Sequence, residues 1–183
     1  MDLASQITVS EINRDKVGNV LPSYFKEICL GEIRELSHTG DLDLTENEYF
    51  TIISGKTAAL FQATFHAGYL LSDEPVEVKE LYIELGNRMG IIFQLTDDCL
   101  DFVSSRKTVK KPVLTDCSRG VMTMPLIYAL KTDKTLRKRL EGGLSEQDLK
   151  DAVLAADGVE YTRTLVEEGH AKAVSRKISL RAK

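Results

Sequence analysis

The sequence has few residues that interrupt helices and little that would build a covalent or membrane-bound framework. Proline occurs 4 times and glycine 12 times in 183 residues, and no segment shows the apolar-polar alternation of a strand. The 3 cysteines have no Cys-x-x-Cys spacing, which argues against both a disulfide framework and a zinc site. No apolar run approaches the roughly 18 residues that a membrane span needs. We therefore expect an all-α protein of the reducing cytoplasm.

The composition is that of a globular chain. Apolar residues make up 43% of the sequence and charged residues 28%, and the net charge is −4. A net negative charge does not favour nucleic acid as a partner. A chain of this length buries about 70% of its unfolded surface, which suffices for one core. We therefore expect residues 1–183 to form a single helical domain.

The segment 90–101 places three carboxylates in an otherwise apolar, helix-patterned run. On a helix, Asp97 and Asp101 share one face with Gln94, and Asp98 lies about 100° around the axis. Clustered carboxylates repel one another and are costly beside apolar surface unless a positive charge lies between them. Mg²⁺ suits such a row, because it takes one or two carboxylates and fills its other positions with water and phosphate oxygens. The alternatives are a solvated acidic patch and carboxylates paired with basic neighbours.

This segment reads Gly-Ile-Ile-Phe-Gln-Leu-Thr-Asp-Asp-Cys-Leu-Asp, and it closely resembles the second aspartate-rich motif of the trans-type polyprenyl diphosphate synthases. Further segments resemble that family's motifs in the family's order: Gly31-Glu32, Lys56-Thr57-Ala58-Ala59-Leu60, Lys111-Pro112 through Asp116, and Thr123-Met124-Pro125. The resemblance implies an antiparallel helical bundle of the isoprenoid synthase type, in which the helices that carry Lys56 and Asp97 face one central cavity.

The resemblance also implies roles for individual residues. The implied ligands of a Mg²⁺ cofactor are Asp97, Asp98 and Asp101. The residues implied to be catalytic are Asp97, Asp98 and Lys56. The residues implied to bind substrate are Lys56, Thr57, Gln94, Lys111 and Phe93. Among these, Lys56 and Lys111 would hold the leaving diphosphate, Gln94 would orient an aspartate or a water, and Phe93 would line a prenyl tunnel. Without the resemblance, both lysines would be taken for solvated surface residues.

The implied activity is prenyl transfer, in which isopentenyl diphosphate is condensed with an allylic diphosphate to give a polyprenyl diphosphate. These two diphosphates are therefore the expected small-molecule partners. The family's usual assembly implies a homodimer or a heterodimer. A product with a long prenyl tail would bring the protein into transient contact with membranes.

The sequence departs from the family in several places. It contains one aspartate-rich motif where the family has two, so we expect a bundle that is incomplete at the N-terminus and inactive in isolation. Three smaller departures are Glu35 in place of Gln, Lys110 in place of Gly, and Val121 in place of Lys. The single motif leaves open a non-catalytic subunit or split half that completes a partner's cavity. A helical interaction protein is the remaining alternative.

Local signals predict where the helices begin and end. The predicted segments are a weak helix over 1–15, a helix over 20–36, one that begins after the capping box Thr45–Glu48, one over about 76–101, and helices over 123–130, from 145 and over 158–180. Ser54-Gly55 predicts a kink, and Ser72–Pro75 a break.

The same patterns predict which side chains are buried. In the helix over 76–101, the predicted inward stripe is Leu81, Leu85, Met89, Ile92, Phe93 and Thr96. Gly86 and Gly90 predict either close approach of a second helix or a cavity, and close approach is favoured. His66 is predicted to be a packed core histidine. Glu32 lies within an apolar stripe, as a buried carboxylate or as a residue near the cavity.

Overall fold

The protein folds into helices throughout the part of the chain that is described. A computed structural model describes residues 17–103, 117 and 119–181. Eight α-helices occur there: α1 Leu21–Ser37, α2 Glu46–Ile53, α3 Ala59–Leu70, α4 Lys79–Val103, α5 Met124–Thr132, α6 Leu136–Glu141, α7 Glu146–Ala155 and α8 Gly158–Arg181. A π-helical turn over Ser54–Ala58 joins α2 to α3, and a 3₁₀ turn over Val76–Val78 precedes α4. The all-α prediction is confirmed.

Side-chain caps open two of these helices, α2 and α7, where the sequence predicted that helices begin. The Thr45 side chain accepts a hydrogen bond from the Glu48 backbone N–H while Glu48 reaches back to the Thr45 N–H, so the predicted capping box opens α2. Ser145 caps α7 by accepting from the backbone N–H of Asp148. The predicted kink at Ser54-Gly55 coincides with the π-helical turn. The short helix α6 was not predicted, and the predicted helix over 1–15 lies outside the described residues.

The core surrounds the central helix α4, which packs against α3 and α8. Its most deeply buried large side chains come from four different helices, namely Leu95, Phe102, Met124, Leu136 and Val153. His66 is 7% exposed, and its Nδ1 lies 3.0 Å from the Tyr24 hydroxyl, which confirms the prediction of a packed core histidine. No described helix combines the length and the apolar character that a bilayer crossing requires.

Two glycines bring α4 into close contact with the backbone of the π-helical turn and of α3. A Cβ atom at Gly90 would lie 2.5 Å from the Cα of Ala58, and one at Gly86 would lie 2.8 Å from the carbonyl oxygen of Phe61. Real Cβ atoms do not approach other atoms so closely, so any side chain at either position would force the helices apart. The predicted close approach at Gly86 and Gly90 is confirmed.

The predicted inward stripe of α4 is wrong in part. Phe93 is 56% exposed and Met89 39% exposed, and Thr96 is exposed as well. The buried residues of α4 are Gly86, Gly90, Ile92, Leu95, Asp98, Cys99 and Phe102. The glycine face turns inward because only it permits the contact with α3, and this rotates Met89 and Phe93 towards the surface.

The apolar stripe of α1 lies on the surface. Phe25, Ile33 and Leu36 are 61%, 60% and 64% exposed, respectively, and the one buried residue of the helix is Gly31. Glu32 has a half-exposed side chain, so the alternative that it is a buried carboxylate is wrong. Helix α1 therefore approaches the π-helical turn most closely at Gly31 and leaves Phe25, Ile33 and Leu36 on the surface.

Candidate functional site

A cavity of about 520 Å³ opens between α1, the α2–α3 junction, α4 and the residues just before α5. Its polar wall includes Glu32, Glu35, Lys56, Gln94, Asp97 and Asp98. The π-helical turn supplies Lys56, and one face of α4 supplies Gln94, Asp97 and Asp98. The structure thus brings together four of the residues that the sequence singled out, and the resemblance alone had suggested that they share a cavity.

Asp98 lines this cavity and accepts hydrogen bonds from α2, from the start of α5 and from its own helix. It is 1% exposed. Its Oδ2 accepts hydrogen bonds from the Tyr49 hydroxyl at 2.6 Å and from the Met124 backbone N–H at 3.0 Å. Its Oδ1 accepts from Nε2 of Gln94 at 3.0 Å. A metal ion bound directly to Asp98 would have to compete with these three donors.

The Tyr49 hydroxyl is held in its neutral form by this contact. Burial raises the pKa of Tyr49 well above its ordinary value, and the adjacent negative charge of Asp98 raises it further. The neutral hydroxyl keeps its proton and donates a hydrogen bond to the carboxylate. Sequence reasoning missed Tyr49 as a site residue, because an aromatic residue in an apolar helical pattern carries no signal of such a role.

Gln94 links the π-helical turn to Asp98. The Thr57 hydroxyl donates to Oε1 of Gln94 at 2.8 Å, and Nε2 of Gln94 donates to Asp98 at 3.0 Å. Each end of the amide therefore has a partner of the matching kind. The bond to Asp98 supports the predicted role of Gln94 in orienting an aspartate.

Lys56 already has anionic partners in the cavity wall. Its Nζ is hydrogen-bonded to Oε2 of Glu35 and lies 3.4 Å from Oε2 of Glu32. Burial alone lowers the pKa of Lys56, but the hydrogen bond and charge of Glu35, with a smaller contribution from Glu32, outweigh it and raise the pKa above its ordinary value. The Lys56 ammonium is therefore positively charged at neutral pH, and the carboxylate of Glu35 partly balances that charge.

The remaining predicted site residues have different positions. Asp97 is exposed and lines the cavity, and Asp101 is partly buried one turn further along α4. Phe93 is on the face of α4 that carries Asp97, and its ring centroid lies 5.4 Å from that of Phe61. The prediction for Lys111 lies outside the described residues.

The donors that are described fit an open metal site rather than a closed one. Among the described residues, no three His, Cys, Asp or Glu side chains are grouped closely enough to hold a metal ion. Asp97 offers an accessible carboxylate, while Asp98 is engaged by protein donors. This set fits Mg²⁺ only in the form in which one or two carboxylates anchor it and phosphate or water oxygens complete its shell.

The fold is that of the helical isoprenyl synthases, and residues 2–157 match the family model described as polyprenyl synthetase. The chain belongs to the polyprenyl synthetase family. It is 32% identical over 169 residues to the octaprenyl diphosphate synthase of Escherichia coli, and the matched region covers 87% of this chain and 52% of that protein. It is 34% identical over 168 residues to a short chain isoprenyl diphosphate synthase of Methanothermobacter thermautotrophicus, covering 91% of this chain and 50% of that protein.

Solved structures of polyprenyl and geranylgeranyl synthases have a similar fold over most of this chain. A polyprenyl synthase from Caulobacter crescentus, complexed with calcium and isoprenyl diphosphate, superposes with a TM-score of 0.78 at 28% identity, over 86% of this chain and 51% of that one. A geranylgeranyl pyrophosphate synthetase from Pyrococcus horikoshii gives a TM-score of 0.79 at 25% identity, over 92% of this chain and 54% of that one. The chain therefore spans about half the length of the relatives that it matches.

Proposed function

We propose that this chain supplies one wall of a prenyltransferase site that condenses isopentenyl diphosphate with an allylic diphosphate. The observation that carries the proposal is the cavity in which the exposed carboxylate of Asp97 and the ammonium of Lys56 lie on adjoining walls. Membership of the polyprenyl synthetase family supports it. A diphosphate bound there would meet a metal-binding carboxylate on one side and a cation on the other.

We propose Mg²⁺ as the cofactor, anchored by Asp97 and, one turn further along α4, by Asp101. When bound, the ion supplies Lewis-acid stabilisation of negative charge on the departing diphosphate. The oxygen-rich shell that this ion prefers agrees with the few carboxylates that the cavity offers. The calcium and isoprenyl diphosphate named for the Caulobacter structure support the pairing of a divalent cation with a diphosphate.

The chain's own residues then divide into binding and positioning groups. Lys56 binds the diphosphate, and Lys111 is proposed to do the same from the following loop. Thr57 orients Gln94 through a hydrogen bond, and Gln94 in turn donates one to Asp98. The other buried hydrogen bonds of Asp98 hold α4 against α2 and the start of α5. Asp98 is thus a positioning residue for Asp97, which is next to it on the same helix.

The apolar part of the substrate requires a separate surface. Phe93 is more than half exposed and precedes Asp97 by one turn on the same face of α4, outside the set of residues that line the cavity. We propose that the growing prenyl chain lies along the Phe93 ring. We further propose a cytoplasmic homodimer or heterodimer that contacts membranes only transiently, through a long-tailed product.

The alternative is a non-catalytic subunit or split half that completes the cavity of a partner. The sequence contains a single aspartate-rich motif, which leaves this alternative open. Prenyl transfer needs two diphosphates fixed near each other, and the loss of that positioning costs several kcal/mol or more. Both proposed functions predict that the isolated chain does not convert the two diphosphates into product.

A radiolabelled elongation assay tests the proposed function. The 183-residue chain is assayed with Mg²⁺, isopentenyl diphosphate and an allylic diphosphate, alone and mixed with the part of the Escherichia coli octaprenyl diphosphate synthase that it does not match. We expect no product from the chain alone and product from the mixture, which Asp97→Ala should abolish. Product that persists with Asp97→Ala would assign catalysis to the added segment and favour the non-catalytic alternative.

A further inference from the structure

Lys56 forms ion pairs with two carboxylates of α1, and the pair with Glu35 is the closer of the two. Oε2 of Glu35 is hydrogen-bonded to its Nζ, and the Glu35 side chain is 18% exposed. Oε2 of Glu32 lies farther away, at 3.4 Å, on a side chain that is 50% exposed. A charge-assisted bond is stronger where water is excluded, so Glu35 is the main partner of Lys56.

With Lys56 paired in this way, the described cavity wall is predominantly anionic. Its carboxylates are Glu32, Glu35, Asp97 and Asp98, whereas its permanently charged cations within the described residues are Lys56 and Arg119. A diphosphate that enters without a metal ion would be repelled by the carboxylates and would have to take Lys56 away from Glu35. A divalent cation bound to Asp97 changes the charge at that carboxylate from negative to positive. The same diphosphate then has an attractive partner there.

We propose that Glu35 is a specificity-determining residue, which keeps Lys56 from binding a bare diphosphate and so makes anion binding at this cavity depend on a divalent cation. The inference rests on the proposed function of Lys56 as a diphosphate ligand. Glutamine at this position would keep the length and hydrogen-bonding capacity of the side chain while it removes the competing charge. The effect therefore belongs to one carboxylate, and one substitution isolates it.

Titration calorimetry with inorganic pyrophosphate, with and without Mg²⁺, tests this inference on the full 183-residue chain. Without Mg²⁺, Glu35→Gln should bind pyrophosphate about tenfold more tightly than the unsubstituted chain, the effect of removing one charge-assisted competitor. Adding Lys56→Met to Glu35→Gln should remove that gain. Glu27→Gln is the matched control, since it removes the same charge from the exposed side of α1 beside a different cavity, and it should change nothing.

Each other outcome is informative. Equal metal-free affinity in Glu35→Gln and the unsubstituted chain overturns the inference, and so does a gain that survives Lys56→Met. If Mg²⁺ still promotes pyrophosphate binding in those cases, the proposed function stands while the role of Glu35 fails. If no variant binds pyrophosphate even with Mg²⁺, both fail. Unchanged far-ultraviolet circular dichroism of Glu35→Gln establishes that the comparison is made on folded protein.

Discussion

At the scale of single residues, Asp97 and Asp98 are neighbours with opposite environments. Asp98 is 1% exposed and accepts hydrogen bonds from Tyr49, Gln94 and the Met124 backbone. Replacing it with alanine leaves those donors without their acceptor, and each buried unsatisfied group costs about 1–3 kcal/mol. We therefore expect Asp98→Ala to lower the free energy of unfolding by about 2–4 kcal/mol, measured by urea denaturation.

Asp97→Ala is the control, because the same chemical change occurs one position away on an exposed side chain. Its free energy of unfolding should stay within about 0.5 kcal/mol of the original, while Mg²⁺-dependent pyrophosphate binding is lost. Similar losses of stability in the two variants would contradict the positioning role that we assign to Asp98.

At the scale of elements, the contact of α4 with the π-helical turn and α3 depends on the absence of a side chain. A helix interior ordinarily gains about 1 kcal/mol when glycine is replaced by alanine. At Gly90 the added Cβ would lie 2.5 Å from the Cα of Ala58, so the two backbones would have to separate. We expect Gly90→Ala to lower the free energy of unfolding by about 1–3 kcal/mol, the usual cost of overpacking, in a urea titration.

Gly68→Ala, on α3, supplies the matched control. A Cβ there meets no atom within 4 Å, so only the helical preference of alanine acts, and stability should rise by about 0.5–1 kcal/mol. Opposite signs for the two substitutions are the expected result. A stabilised Gly90→Ala would show that the helices can separate without cost.

At the scale of the whole molecule, the exposed apolar face of α1 should cause association. Phe25, Ile33 and Leu36 lie on one side of that helix and are each at least 60% exposed, and contiguous exposed apolar surface promotes association. We expect concentration-dependent self-association of the chain in sedimentation velocity experiments. Replacing all three residues with serine should shift the chain towards monomer.

Val76 and Leu154 provide the control for this association. Both are exposed apolar residues at separate places in the fold, 69% and 40% exposed respectively, and neither belongs to the α1 stripe. Serine at these two positions should leave the sedimentation profile unchanged. A profile that is monomeric at every concentration before any substitution would show that the α1 stripe does not mediate contacts between copies.

Local chemistry was sufficient to predict most of the described helices, the break before Val76 and the family. The capping box at Thr45, the kink at Ser54-Gly55 and the break before Val76 each depend on residues within a few positions of one another. Such interactions act inside one segment, so the sequence displays them directly. The order of the motifs around Lys56 and Asp97 likewise predicted the family, because each motif can be recognised without knowing its neighbours in space.

The pairing of distant groups could not be predicted in this way. The apolar pattern of α4 admits two adjoining inward faces, and the contact of Gly86 and Gly90 with α3 selects the one that exposes Phe93. Glu35 and Lys56 are 21 positions apart, and Tyr49 and Asp98 are 49 apart. Those bonds exist only once helices pack, so the sequence determined which elements form and which carboxylates are available. Tertiary packing alone decided that Asp98 is buried in hydrogen bonds while Asp97 faces the cavity.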